Sequence, residues 1–412
     1  MEYKKNKICN TRFQQSSPYT DFHDGMAFRN FLYNGETTEL QTIDLAMYVD
    51  AFLPFDRSRT KMTLIMFTVL NLPPEERYKQ QNIIITAVPT GVNRPGDIFS
   101  FLAPVLEEIL VMKKLGLTVN VGQSTHYYKV RLCLSVGDIP GIAELCRHSG
   151  HTSYKGCRVC IIKGTRVEGK DGIYFPNIDY TSGDCVSYPI ISRLSYGLHG
   201  IKSKSPLTLF KSFNGFSSYS LDEMHLWGSN VSKHLWSMID DNLTKFGINN
   251  PLYLKTKYKE SLEKYIEQSI SLNPANAAIG EFNEACRLSE MKLITQQDIA
   301  KIRSHIEVWH KFLSKYIGVS SFTINQHYLS HIGIYIEHLG PLRCISTRPL
   351  ERMIGCIKRK IKSASKPAEN VANGVLAHHQ FWQNQWDDQP PQQCNKSPEH
   401  IPIADMVSVY YH

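Results

Sequence analysis

Two cysteines and two histidines of the chain have the residue types and spacing of zinc ligands. Cys157 and Cys160 form a CxxC pair, in which two thiolates can bind one Zn²⁺. His327 and His331 are four residues apart, so both imidazoles would lie on one face of a helix. Together the four residues would complete a tetrahedral structural site. Taken singly, the CxxC pair is as typical of redox-active or plain buried thiols, and an HxxxH pair is more often packed or solvated than ligating.

A second candidate motif is Asp222-Glu-Met-His225, whose acid and imidazole are three residues apart. It could bind a metal, orient a DNA strand or cap a helix. Further candidate zinc ligands near the CxxC pair are Cys146, His148 and His151. Spacing alone therefore leaves the zinc ligand set open.

Three acidic residues are candidates for a magnesium or manganese site. Asp50 and Asp138 each end a predicted strand, and Glu351 lies in the first turn of a predicted helix. Adjacent carboxylates repel one another unless a divalent cation lies between them, and hard oxygen ligands select Mg²⁺ or Mn²⁺. Two such ions can generate the attacking hydroxide and stabilise the leaving oxygen of a phosphodiester. The alternative is a turn or cap role for each acid, and composition does not separate these three from the rest of the 38 acidic residues.

A basic segment surrounds the third acid. Between Arg343 and Lys366, Glu351 is the only acidic residue, and this imbalance favours contact with a phosphate backbone over a salt-bridged solvated helix face. The Lys358-Arg-Lys360 cluster also resembles a nuclear import signal, so we expect a nuclear protein. The basic residues are Arg343, Arg348, Arg352, Lys358, Arg359, Lys360, Lys362 and Lys366.

The elements that would position the acids are four strands and two helices. A helix ended by Gly116 separates the third strand from the fourth, and another helix follows the fourth. This order is typical of the ribonuclease-H-like fold, an α/β fold with a mixed sheet. In that fold the first and fourth strands are neighbours, so Asp50 and Asp138 would lie side by side. The predicted strands are Leu45–Val49, Lys61–Leu72, Asn82–Val88 and Lys129–Val136.

The rest of the chain is predicted to be mostly helical. Apolar residues recur at helical spacing over 254–270 and 299–317, and both stripes are interpreted as core packing. The last clear helix begins near Pro349. We therefore divide the chain into an irregular lead-in (1–41), the first part of the sheet core (42–160), a mostly helical insertion (161–325), a return to the core with the histidines and the third acid (326–378), and an exposed polar tail (379–412).

Composition excludes several classes of protein. With 412 residues, 42% apolar and 20% charged, the chain is neither wholly disordered nor fibrous. Its longest strongly apolar stretch, residues 63–72, is far shorter than the roughly 20 residues that span a bilayer, so we expect no membrane partner. No secretory signal is recognised, and the ten cysteines are therefore expected to be reduced. A net charge of +8 permits nucleic-acid binding without requiring it.

Several short segments, in their order along the chain, resemble the catalytic region of CACTA-type (En/Spm-like) DNA transposases. Each is a weak signal alone, but their order over residues 42–375 is specific. The first five are Asp50-Ala-Phe-Leu-Pro-Phe55, Leu70-Asn-Leu-Pro-Pro74, Gly91-Val-Asn-Arg-Pro-Gly-Asp97, Phe101-Leu-Ala-Pro-Val105 and Gly137-Asp-Ile-Pro140. The others are Gly156-Cys-Arg-Val-Cys160, Asp222-Glu-Met-His225, the His327/His331 pair, Gly340-Pro341 and Glu351-Arg-Met-Ile-Gly-Cys-Ile-Lys358.

The resemblance implies a DDE-type nuclease and strand transferase. Asp50, Asp138 and Glu351 would be its catalytic acids, with two Mg²⁺ or Mn²⁺ ions as cofactors and double-stranded DNA as substrate. The V(D)J recombinase catalytic subunit looks like a distant relative. In that relative a zinc site joins a CxxC pair after the second acid to two histidines before the third. The resemblance therefore implies a structural Zn²⁺ held by Cys157, Cys160, His327 and His331, which would fasten the insertion to the core and help to orient Glu351.

One departure from the family pattern is Ala51, where the family has glycine after the first acid. The chain also starts almost at the nuclease core, so we expect no separate N-terminal DNA-binding domain. We therefore expect a truncated or domesticated copy of a transposase. We also expect a separate partner that binds the DNA ends, and a homodimer. The alternative functions are a catalytically silent DNA-binding or scaffold protein and, more weakly, a zinc-stapled interaction module without a DNA role.

Overall fold

The structure is a computed structural model, and it describes most of the chain. Within the described residues, no helix combines the length and apolar character that a bilayer crossing requires. The predicted apolar stripe at 254–270 and the end of the predicted tail, 388–412, lie outside these residues. The described residues are 2–13, 18–33, 41–55, 61–87, 90–91, 97–176, 178, 199–213, 215–240, 246, 250–253, 274–362 and 366–387.

A mixed β-sheet forms the centre of an α/β fold. Its strand order is β3-β2-β1-β6-β5, with β4 beside β2. β1 is antiparallel to β2 and parallel to β6. All four predicted strands are confirmed, with boundaries shifted by a few residues. The strands are β1 (Thr42–Phe52), β2 (Lys61–Val69), β3 (Ile83–Ala87), β4 (Thr90–Gly91), β5 (Leu117–Val121) and β6 (Ser124–Val136).

Strand β1 is buried on both faces, as its unbroken apolar run predicts. Met47 and Val49 face one core cluster, and Ala46 and Tyr48 face the other. Because successive side chains of a strand alternate between faces, even-numbered residues of β1 share the face that carries Tyr48. Asp50 stands on this face, at the point where β1 becomes partly exposed.

A bulge in β6 sets the register between the two strands that end in aspartates. Leu45 is level with Leu132, but Ala46 is level with Leu134, so Cys133 is an extra residue on β6. Beyond the bulge, Tyr48 is level with Val136. Continuing this register by two residues places Asp50 level with Asp138. Without the extra residue, Asp50 would be level with glycine.

Sequence patterns missed the β5–β6 hairpin. β6 begins at Ser124 rather than at Lys129, and its first residues are mostly exposed. A turn at Gly122, with a φ of +58°, connects it to β5. The start of β6, residues 124–127, is mostly exposed and therefore lacks the apolar alternation by which the rest of β6 was predicted. β5 was missed although its Leu117 and Val119 alternate with polar residues and are buried.

The helices cover both faces of the sheet. α4 packs on the Val49 side, whereas α8, α10 and α11 contribute to the core cluster on the Tyr48 side. π-helical turns at Met224–Val231 and Leu313–Ile317 precede α6 and extend α8. The helices are α1 (Glu2–Phe13), α2 (Met26–Tyr33), α3 (Pro74–Arg77), α4 (Phe99–Leu115), α5 (Ile139–Leu145), α6 (Ser232–Asp240), α7 (Pro274–Ser289), α8 (Gln296–Phe312), α9 (Ile324–Leu329), α10 (Ile332–Leu339), α11 (Arg348–Lys360) and α12 (Pro367–Asp387).

The prediction of an irregular lead-in was wrong. Residues before β1 form α1 and α2, and Phe22 and Phe28 are completely buried. Two buried ion pairs fix this segment: Lys4 lies 2.7 Å from Asp44 of β1, and Asp21 accepts hydrogen bonds from Arg77. Because charged side chains make these contacts, the polar composition of the segment concealed its burial.

The predicted polar tail (379–412) is described only to residue 387, where it forms the end of α12; residues 380, 381, 383 and 384 are exposed, as predicted. α12 runs from Pro367 to Asp387 and packs against α11, with Val371 fully buried. Its large apolar residues include Leu376 and Phe381, which are more than half exposed, so the burial of this helix does not follow a simple apolar stripe. Tertiary contact with α11 supplies the burial that the sequence pattern does not indicate.

Candidate metal centres

The first centre forms where β1, β6 and α11 meet. Ligand atoms of Asp50, His225 and Glu351 all lie within 4.8 Å of one another. Glu351 comes from the first turn of α11, and its carboxylate lies 3.8 Å from Nε2 of His225. All three side chains are partly exposed, so the cluster is open to solvent. Residues from three distant parts of the chain thus form one group of oxygen and nitrogen donors.

Asp138 borders this cluster and also has a structural role. Its carboxylate accepts a hydrogen bond of 2.6 Å from the amide of Gly141 and thereby caps α5. A Cβ at Gly141 would lie only 2.7 Å from that carboxylate oxygen, so the close approach requires glycine. The charge of Asp138 nevertheless acts on both Asp50 and His225. Asp138 therefore caps α5, and its negative charge also raises the pKa values of Asp50 and His225 in the cluster.

The electrostatics of this centre favour a bound positive charge. Burial and the neighbouring carboxylates of Glu351 and Asp138 raise the pKa of Asp50 to about 8. Burial alone would lower the pKa of His225, but Asp222, Asp50 and Asp138 raise it to about 9. Like charges at short range disfavour ionisation until a cation compensates them. A proton on His225 or a metal ion can provide that compensation.

Asp222 connects the His225 segment to the start of α11. Its carboxylate is buried and accepts hydrogen bonds from the Thr347 amide (2.9 Å) and the Thr347 hydroxyl (2.8 Å). The same carboxylate lies 2.6 Å from Nδ1 of His225. Glu351 follows one helical turn after Thr347, so Asp222 fixes both the imidazole and the helix that carries the third acid. Of the three roles considered for this motif, Asp222 shows the structural one, whereas His225 lies within the donor cluster.

Two of the predicted DNA-binding arginines are engaged by protein groups. Arg348 forms a two-pronged ion pair with the buried Glu223 and also contacts Glu290 at 3.0 Å. Arg343 donates to the backbone carbonyl of Glu290. Arg352, Arg359, Lys360 and Lys362 are instead exposed, and Lys358 is partly exposed.

The second centre contains the four cysteine and histidine residues that spacing suggested. Their ligand atoms lie within 4.8 Å of one another, and all four side chains are buried. Cys157 Sγ lies 3.4 Å from His331 Nε2, and Cys160 Sγ lies 3.2 Å from His327 Nε2. The two Nε2 atoms are 3.0 Å apart. This donor set and its compactness fit a tetrahedral Zn²⁺ site.

Protonation in this second centre also fits metal binding. Burial opposes ionisation of Cys157, but Cys160 and the two imidazoles hold the pKa of Cys157 well below its ordinary value. The amides of Val159 and Cys160 donate to Cys157 Sγ, which stabilises a thiolate. Burial lowers the pKa of His327, so its neutral, ligating form is favoured.

The two histidines do not share one continuous helix. His327 belongs to α9, whereas His331 precedes α10 as its N-cap residue. The i, i+4 relation still brings the imidazoles together because the break between the helices is short. Of the other candidate ligands, Cys146 and His148 are buried outside the cluster and His151 is exposed.

Sequence reasoning missed Glu223 and Thr347 as residues that position the first centre. The sequence contains a weak indication of each residue's role. Glu223 lies inside the Asp-Glu-Met-His motif, and Thr347 precedes Pro349 at a helix start, where a cap residue is expected. The hydroxyl of Thr347 makes no cap of its own, because it donates to Asp222 instead.

A comparison with protein families gives a match to part of the chain. Residues 20–174 match the model of a family described as "Transposase family tnp2". The matched segment includes Asp50, Asp138, Cys157 and Cys160, and it ends before His225. No curated protein matches the chain. The family match supports a transposase.

Proposed function

We propose that this chain contains the catalytic core of a CACTA-type (En/Spm-like) DNA transposase, a DDE enzyme with a ribonuclease-H-like core. The strand order, with β1 antiparallel to β2 and parallel to β6, supports the fold assignment. The predominance of helices between Asp138 and Glu351 in the described residues supports a helical insertion between the second and third acids.

The convergence of Asp50, His225 and Glu351 beside Asp138 carries the proposal. In this assignment, Asp50, Asp138 and Glu351 hold two Mg²⁺ or Mn²⁺ ions. When bound, the ions supply Lewis acidity and charge neutralisation for phosphodiester hydrolysis and strand transfer. Asp222 orients His225 and holds the start of α11, so that Glu351 faces the strand ends.

Double-stranded DNA is the substrate in this proposal. The exposed basic residues after Glu351 lie where a phosphate backbone would approach the acids, since they are on the same helix or directly follow it. These residues are Arg352, Lys358, Arg359, Lys360 and Lys362, with Arg343 and Arg348 serving to hold the helix start. A homodimer, a separate partner for DNA ends, a truncated or domesticated origin and a nuclear location remain predictions.

Substitution of the third acid tests the catalytic assignment. Glu351→Gln should abolish Mn²⁺-dependent nicking of supercoiled plasmid and leave gel-shift affinity for duplex DNA nearly unchanged, because it removes one metal ligand and no basic group. Glu108→Gln is the matched control, since Glu108 is exposed on α4, across the sheet. Unchanged nicking by Glu351→Gln would remove this residue from the mechanism. Duplex binding without nicking by the native chain would favour the catalytically silent alternative.

The cysteine and histidine cluster is assigned to a structural Zn²⁺. It would join the loop after α5 to α9 and α10, which lead directly to α11 and Glu351. We expect about one zinc per chain by elemental analysis, since four ligands complete one site. Cys157→Ser should lose the zinc, whereas Cys286→Ser should retain it, because Cys286 lies on α7 outside the cluster. A native chain free of zinc would contradict the assignment.

A further inference from the structure

A groove with a volume of about 350 Å³ runs beside α11, the helix that carries Glu351. Its walls include Tyr78 and Gln80 on one side and Arg352, Gly355, Cys356 and Arg359 on α11. Arg352, Cys356 and Arg359 recur at intervals of four and three residues, so they follow one face of the helix. Arg352 directly follows Glu351, so the groove wall and the third acid belong to the same turn of one helix.

The groove combines an apolar wall with two positive charges. The hydroxyl of Tyr78 donates to the Cys344 carbonyl (2.7 Å) and lies 2.9 Å from the Tyr48 hydroxyl, so the ring is fixed in place. Both guanidinium groups at the groove belong to exposed residues, Arg352 and Arg359. Within the described part of the chain, neither forms an ion pair with an acidic side chain, in contrast to Arg348.

The combination of an apolar wall and two positive charges favours an unpaired nucleotide over a duplex backbone as the ligand. A duplex backbone presents phosphates along a surface and needs no apolar recess. An unpaired nucleotide presents a phosphate and a planar base together, and proteins bind such nucleotides with basic grooves and aromatic or apolar walls. The charge and the shape of the groove therefore both fit a nucleotide that has left the base stack.

We propose that this groove binds one unpaired nucleotide of the DNA strand adjacent to the acid cluster. Arg352 and Arg359 contact its phosphates, and the base packs against the wall that contains Tyr78. The inference rests on the proposed function in that it takes DNA as the ligand, and it adds a recognition site for distorted or single-stranded DNA. Only the groove, not the acids, is required for this binding.

A glycine in the groove wall permits a direct test. A Cβ at Gly355 would come no closer than 3.8 Å to Arg359, so a larger side chain can be introduced without a backbone clash. Gly355→Phe should fill the groove and weaken binding of an oligothymidylate by about tenfold, the effect of losing one stacked base. Its affinity for intact duplex should change by less than about twofold, because the basic residues remain. Gly280→Phe is the matched control, since Gly280 is an exposed glycine on α7 with nothing within 4 Å of its Cβ position.

A second measurement uses the native chain and does not depend on the folding of a variant. Oligothymidylate should slow the alkylation of Cys356 by iodoacetamide, measured by peptide mass spectrometry, more than bound duplex does, because only an unpaired nucleotide enters the groove. Equal alkylation with and without oligothymidylate, or wild-type oligothymidylate affinity of Gly355→Phe, would overturn the proposal.

The outcomes separate this inference from the proposed function. Asp50→Asn should lose Mn²⁺-dependent nicking and keep groove-dependent oligothymidylate binding. If the native chain does not nick DNA but Gly355→Phe still loses oligothymidylate binding, the nuclease assignment fails and the groove stands. If the native chain nicks DNA and oligothymidylate binding is unaffected by Gly355→Phe, the groove assignment fails and the nuclease assignment stands.

Discussion

Two aspartates of one strand, Asp44 and Asp50, have opposite electrostatic surroundings. Asp44 and Asp50 lie on the same face of β1, six residues apart. Asp44 is completely buried, lies 2.7 Å from Lys4 and accepts a hydrogen bond of 2.8 Å from Arg131. Asp50 is partly exposed and has other acids as neighbours. Cations of the protein thus pair with the first carboxylate, whereas the second accepts a hydrogen bond from the Ala51 amide and has the carboxylates of Glu351 and Asp138 as charged neighbours.

The electrostatic consequence has opposite signs at the two positions. Burial opposes ionisation of Asp44, but Arg131 and Lys4 hold its pKa well below the usual range. Burial and Glu351 raise the pKa of Asp50 to about 8. An acid that the fold stabilises contributes to folding, whereas an acid that the fold destabilises is available for a ligand. The comparison therefore favours Asp50 over Asp44 as a ligand of the proposed metal site.

The largest expected effect is on stability at the paired aspartate. Asp44→Asn should lower the free energy of unfolding by about 3–5 kcal/mol, because Lys4 and Arg131 would remain buried without their counter-charge. Urea unfolding monitored by circular dichroism measures this change. Asp97→Asn is the control, since its ion pair with Arg147 is largely exposed and should contribute less than about 1 kcal/mol. Similar losses for the two variants would contradict the comparison.

Lowering the pH should cause part of the same loss of folding stability in the native chain. Arg77 and His23 hold the pKa of Asp21 well below its usual range against the opposing effect of burial, as Arg131 and Lys4 do for Asp44. Because both pKa values are lower in the folded state, their contribution to stability is fully present above about pH 4, the unfolded value, and is lost as pH falls below it. Thermal melts across this range should show a steep decrease for the native chain. A shallower decrease is expected for Asp44→Asn, and parallel curves would count against the assignment.

The smallest expected effect on the free energy of unfolding is at Asp50. Asp50→Asn should leave the free energy of unfolding unchanged or raise it by about 1 kcal/mol without divalent ions, because it removes repulsion with Glu351. Mg²⁺ should raise the melting temperature of the native chain but not of this variant, since only an ion bound to the folded state stabilises it. A loss of stability as large as that of Asp44→Asn would show that Asp50 is a structural acid.

Local sequence patterns predicted much of the framework. The apolar run of β1 and the alternation in the buried half of β6 predicted strands, because burial itself imposes those patterns. The Ile299–Ile317 stripe, ended by Gly318 with a φ of +89°, predicted α8 for the same reason. The buried cysteine and histidine cluster contains the four residues that short-range spacing suggested, although its metal remains a proposal.

Long-range contacts produced the features that the sequence did not indicate. The lead-in was misread because Lys4 and Asp21 are buried by partners 40 and 56 residues away, which no local pattern records. Arg348 was assigned to DNA because its carboxylate partners, Glu223 and Glu290, are distant in the chain. The groove beside α11 has no sequence signature, since Tyr78 reaches it from another part of the molecule.

The sequence by itself determined which residue types are present, where β1 and the buried half of β6 run, where α4, α8 and α11 run, and which short motifs could hold metal ions. These properties depend on side chains a few residues apart. The tertiary structure alone decided that the extra residue Cys133 shifts the register of β1 against β6, and that Asp222 holds the start of α11 while Glu351 lies with Asp50 and His225. Whether a carboxylate is satisfied or left for a ligand depends on the charges that folding places around it, and those charges come from the whole chain.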